Sequence, residues 1–135
     1  MFKARKKQAM YYEEIVLENG NKKEAALLPE IEVNFEENKF HLFVAYFIPF
    51  TNVMVKADDK PRIAREILKG TFKFSPDYKT IEINNTKYDV ADFYNKTMIA
   101  KNDEKTVSMI ILHLLYDRSW KEIIEYATLK GLKKK

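Results

Sequence analysis

The stretch Leu42-Phe43-Val44-Ala45-Tyr46-Phe47-Ile48-Pro49-Phe50 constrains the fold more than any other part of the chain. Nine apolar residues are far too few to span a bilayer, which takes about 20 in a helix. The stretch is therefore not expected to be a membrane span. Read as a strand, whose side chains alternate between faces, it shows Leu42, Val44, Tyr46 and Ile48 on one side and His41, Phe43, Ala45 and Phe47 on the other. A strand apolar on both faces is a central one, covered on both sides.

The flanking sequence supplies partners for such a strand. Ile31, Val33 and Phe35 alternate with Glu32, Asn34 and Glu36, and the polar corner Glu37-Asn38 leads into Lys39, which is the pattern of a β-hairpin. Upstream, residues 11–18 end at Asn19-Gly20, either a hairpin turn or the C-terminal stop of a helix beginning near Phe2. Helical spacing groups Ala9, Tyr12, Ile15 and Val16; the strand reading pairs the run with residues 22–28 and is preferred from residue 11 onward.

Downstream, Ala57-Asp58-Asp59-Lys60-Pro61 has the form of a helix start and Gly70 that of a stop, so the spacing predicts a short helix burying Ile63, Ala64, Ile67 and Leu68. Phe72 and Phe74 alternate in a following strand, and residues 80–83 and 87–90 flank Asn84-Asn85-Thr86 as a second hairpin. From Asp92 the period becomes helical. Asp103 caps a helix with Val107, Ile110, Ile111, Leu114 and Leu115 on its apolar face, and Ser119 with Glu122 has capping-box spacing for a last helix anchored by Trp120. The expected fold is α+β: an antiparallel sheet built from hairpins, helices packed on one side, and a helical C-terminal third.

At 135 residues the chain is long enough for one domain with its own core, and a single domain over 1–135 is expected. It has no cysteine, which excludes disulfides and thiolate metal sites and fits a reducing, cytoplasmic setting. No apolar run follows the N-terminal charges, so neither a signal segment nor a membrane anchor is expected.

Charge is distributed unevenly. Lys3, Arg5, Lys6 and Lys7 open the chain and Lys130, Lys133, Lys134 and Lys135 close it; these basic tails, 1–7 and 130–135, outweigh the whole net charge of +4. The middle is acidic, with eight acidic against three basic residues over 8–40. On the expected helix Arg62, Arg65 and Lys69 fall on one exposed stripe. Tails and stripe together suit the phosphate backbone of nucleic acid. Lysine outnumbers arginine by 20 to 4, which favours point-charge phosphate contact over base readout. The same lysine-rich, glycine-poor bias resembles small viral, phage or mobile-element proteins of AT-rich genomes.

Phe43 and Phe47 are the candidates for base stacking on an open sheet face, or for a homodimer interface. The catalytic inventory is thin. His41 and His113 stand far apart in sequence, no nucleophile elbow is present, and the three glycines have no phosphate-loop spacing. Asp58-Asp59, Glu36-Glu37 and Asp89 with Asp92 are the carboxylate pairs, and capping or turn solvation accounts for each. No metal and no cofactor is expected. The sequence thus points to a non-enzymatic nucleic-acid-binding accessory protein. A protein-interaction module meeting a basic partner through the acidic, aromatic middle is the alternative, and a metal-dependent enzyme using Asp89, Asp92 and His113 comes third.

Overall fold

The structure is a computed structural model, and it describes residues 10–51, 53–90 and 104–134. The fold is α+β, an antiparallel sheet of hairpins followed by two helices. The described chain divides into two compact units, one of residues 31–42, 68–90 and 104–116, the other of residues 10–30, 43–67 and 117–134. Three long strands, β2 (Lys22–Asn34), β3 (Lys39–Ile48) and β7 (Ile63–Phe74), contribute residues to both.

In the first unit the strand order is β2, β3, β7, then β8 (Thr80–Ile83) and β9 (Thr86–Asp89). Phe72, Lys73 and Phe74 of β7 lie opposite Ile83, Glu82 and Ile81, and Glu82 lies opposite Lys87. Asn84 and Asn85 take φ of 48° and 72°, the left-handed pair a two-residue hairpin turn needs and that asparagine tolerates. The inward face collects Ile31, Phe40, Leu42, Phe72, Ile81 and Ile83. Helix α1 (Glu104–Leu114) buries Thr106, Val107, Ile110 and Ile111.

In the second unit the order is β10 (Lys133–Lys134), β1 (Tyr11–Val16), β2, β3 and β7, with the short β4 (Val53–Met54) also on β3. β1 and β2 form the hairpin expected at Asn19-Gly20, with Tyr12 opposite Ala26 and Val16 opposite Lys22; Gly20 takes φ of 86°. Phe43, Val44 and Ala45 are all fully buried, so β3 is covered on both faces as its composition demands. Helix α2 (Tyr116–Lys130) buries Ser119, Trp120, Ile123, Tyr126 and Ala127. It ends at Gly131, φ 65°, where Leu132 N donates to Ala127 O at 2.9 Å, the hydrogen bond of a Schellman stop.

Two expectations are corrected. Residues 61–69 are not a helix: Pro61 belongs to β6 (Lys60–Pro61), which pairs with β5 (Lys56–Ala57), and Ile63 onward is strand β7. Asp58 and Asp59 form the tight turn of that ribbon at φ 53° and 63° instead of a cap. The segment Ile63–Leu68 satisfies either period locally, and the open edge of β3 decides for the strand by accepting its backbone. Secondly, the break between helices falls at Leu115, so Ser119 is a fully buried residue inside α2 and no cap. The basic C-terminal segment is built into the fold as far as residue 134. Lys130 closes α2, and Lys133 and Lys134 pair in β10 with Tyr12 and Tyr11.

Candidate nucleic-acid interface

The expected stripe is dismantled by the strand. Arg62 lies just before β7 and Arg65 within it, and each is held by partners of its own. Arg65 instead reaches α2, its Nε 3.2 Å from Glu122 and its Nη2 2.6 Å from Glu125. Arg62 donates to the carbonyl of Val16 at 2.6 Å and lies over the ring of Tyr46, 5.4 Å from its centre. Both guanidinium groups are committed inside the second unit. Phe43 is fully buried and has no face to offer a base; Phe47 is half-buried and lies opposite Met54 of β4. Lys3, Arg5, Lys6, Lys7, Lys135 and Asp92 lie outside the described residues.

Lys130 is committed as well. Its Nζ lies 3.4 Å from Glu13 Oε2 and 5.2 Å from the ring centre of Tyr126. Glu13 Oε1 also receives Tyr126, whose hydroxyl donates at 2.7 Å, and lies 2.9 Å from the hydroxyl of Tyr46. Burial, then the hydrogen bonds to Tyr126 and Glu13, pushes the Tyr46 phenol far up from its ordinary value. Burial also raises Tyr126, the Tyr46 hydrogen bond opposing and Glu13 adding. With Tyr46 and Tyr126 only 5% and 8% exposed, this cluster is closed to a ligand and ties β1, β3 and α2 together.

Of the expected cations, Lys69 remains exposed, and in the first unit it has company that sequence reasoning missed. It lines an open groove of about 650 Å3 with Lys39, His41, Glu32, Asn34, Gly70 and Thr71. A second groove, about 280 Å3, holds Lys73, Lys87, Thr80 and Glu82. Lys39, Lys69, Lys73 and Lys87 are all exposed. Among the described residues no carboxylate lies within ion-pair distance of Lys69, Lys73 or Lys87, and Lys39 has only exposed Glu37 at 3.9 Å. Glu32 sits 3.6 Å from His41 Nδ1, and Glu82 lies between Lys73 and Lys87 in the register.

The lysines recur because β7 alternates: Lys69, Thr71 and Lys73 point outward while Phe72 is buried. That alternation is legible in the sequence from Lys69 onward, but Gly70 equally has the form of a helix stop. In the strand, Gly70 is where Asn84 crosses. Its amide Oδ1 accepts from Thr71 N at 2.9 Å, and a Cβ on Gly70 would come within 2.7 Å of Asn84 Cγ.

Four ammonium groups with neutral donors at Thr71 and Asn34 can bind an extended anion by charge and several hydrogen bonds, without geometric selectivity. Among the described residues no group of three or more His, Asp or Glu side chains is placed to hold a metal ion. Asp89 ends β9 and His113 lies in the last turn of α1. No helix of the described residues is long and apolar enough to cross a membrane. Comparison of the chain with protein-family models, curated proteins and solved structures gives no match.

Proposed function

We propose that the protein binds the phosphate backbone of nucleic acid through the outward face of the first unit, with Lys39, Lys69, Lys73 and Lys87 as the contacts and little selectivity for sequence. The observation that carries this reading is that these exposed lysines line two grooves while Arg62, Arg65 and Lys130 are spent on internal partners. Binding is then driven by counterion release and falls with salt. Lys3, Arg5, Lys6 and Lys7 add further phosphate contacts.

The test is fluorescence anisotropy with labelled single-stranded DNA, duplex DNA and RNA across a salt series, for the chain with and without residues 1–7. Each lysine-to-alanine change on the face is expected to lower the slope of log K against log salt by roughly 0.7–1. A slope untouched by all four changes sinks the reading.

A second reading, self-association through a protein surface, rests on Phe50. Its side chain is fully exposed, 102%, and its backbone sits at φ 67°, in a turn where Thr51 Oγ1 donates to Ile48 O at 2.9 Å. Sedimentation equilibrium of the chain and of Phe50→Ser decides it: a dimer dispersed by the substitution supports it, a monomer at all concentrations removes it.

A further inference from the structure

The turn joining β7 to β8 is bonded more densely than a simple connection requires. Ser75 N donates to Thr80 O at 3.0 Å and Tyr78 N to Ser75 O at 2.9 Å. Ser75 Oγ donates to Asp77 Oδ1 at 2.7 Å, that oxygen accepts Lys79 N at 3.0 Å, and Thr80 N donates back to Ser75 Oγ at 3.1 Å. Together they hold Tyr78 at φ 59°, a left-handed conformation rare for a bulky residue. Such an outlier persists only where its surroundings over-determine it, and it tends to mark a working position.

What the turn presents is an aromatic row. Tyr78 meets Phe74 with ring centres 5.9 Å apart, Phe74 meets Phe72 at 6.3 Å, and Phe72 meets Phe35 at 6.3 Å, all tilted or edge-to-face. Phe72 is buried; Phe35, Phe74 and Tyr78 are only half-buried. They line a groove of about 350 Å3. Its wall of Lys73, Phe74, Ser75 and Pro76 is also the wall of the groove that holds Lys87. Cations and rings therefore meet across one rim, within one unit.

Resting on the phosphate-binding reading above, we propose that this groove takes an unstacked base of a single-stranded nucleic acid against Tyr78 and Phe74, while Lys73 holds the neighbouring phosphate. A fixed ring loses little freedom on binding and accepts any base by its π-face. A duplex keeps its bases stacked inward and cannot offer one. The ligand class is thus single-stranded, and the selectivity is for the presence of bases, not for their order.

The experiment uses the full chain and fluorescence anisotropy with three labelled ligands: an oligothymidylate, an abasic deoxyribose-phosphate oligomer of equal length, and a duplex. The oligothymidylate is expected to bind tightest. Tyr78→Ala should weaken it by roughly tenfold and leave the abasic oligomer unchanged, while Tyr78→Phe keeps wild-type affinity. Tyr78→Leu, which keeps apolar volume without a π-face, takes over if thermal melts show that the alanine variant does not fold. Equal affinity for the abasic oligomer, or a Tyr78 change that weakens both single strands alike or neither, overturns base capture and leaves the phosphate reading standing. Absence of salt-sensitive binding to all three ligands overturns both.

Discussion

Tyr46 and Tyr126 meet hydroxyl to hydroxyl at 3.0 Å, and both also reach Oε1 of Glu13. Two phenolic protons thus serve three oxygen contacts among residues drawn from β3, α2 and β1. Removing one hydroxyl leaves the remaining polar atoms enclosed and short of a partner. Tyr126→Phe is expected to cost about 1–2 kcal/mol in urea denaturation.

The same cluster gives a pH dependence. Both phenols are raised in the folded protein, so the unfolded chain releases these protons first as the pH climbs. Their contribution to stability is complete below about pH 10, the ordinary tyrosine value, and is lost progressively above it. The urea midpoint should fall as the pH rises above about 10, and Tyr46→Phe with Tyr126→Phe should flatten that fall. An unchanged fall in the double variant would show that the cluster is not its source.

Arg65, with Glu122 and Glu125 both in reach, is placed for structure and not for a ligand. Arg65→Ala is expected to lower stability by about 1 kcal/mol, the pair being partly exposed and screened by salt. Arg65→Lys should recover only part, since a point charge does not fork between two carboxylates. Polyanion affinity should stay at the wild-type level. A marked loss of affinity at constant stability would return Arg65 to the binding surface.

Gly70 and Asn84 exclude one another's volume. Gly70→Ala places a methyl group against the amide of Asn84, an exposed side chain that can swing aside, so the expected cost is that of the lost hydrogen bond from Thr71 N to Asn84 Oδ1, about 1 kcal/mol. Asn84→Gly removes the obstacle and tolerates the left-handed φ of 48°, so the cost of Gly70→Ala should shrink in that background. A double-mutant cycle in chemical denaturation reads the coupling, and additive effects would contradict the contact.

Asp59 occupies a left-handed turn position, φ 63°, that glycine fills without a Cβ penalty. Asp59→Gly is expected to raise stability by about 1 kcal/mol. A fall in the thermal midpoint would mean that the Asp59 side chain contributes more than its backbone costs.

By itself the sequence determined the elements whose local signals agree. The two-sided apolar run became a covered strand over 42–46, with Phe50 left exposed in the turn beyond it, and Glu37-Asn38 and Asn84-Asn85 became turns between strands. The apolar faces of the last third became helices. In each case alternation or helical period, turn chemistry and burial point the same way. Only the tertiary structure decided residues 61–69, because Ile63–Leu68 fits both periods and the free edge of β3 had to arbitrate. That single choice turned Lys69 and Lys73 to one face and sent Arg65 to Glu125, sixty residues away in sequence. Lys133 and Lys134 likewise look like tail until β1 offers them an edge. Which cations remain open to a ligand is a question of partners distant in sequence, and local pattern carries no information about those.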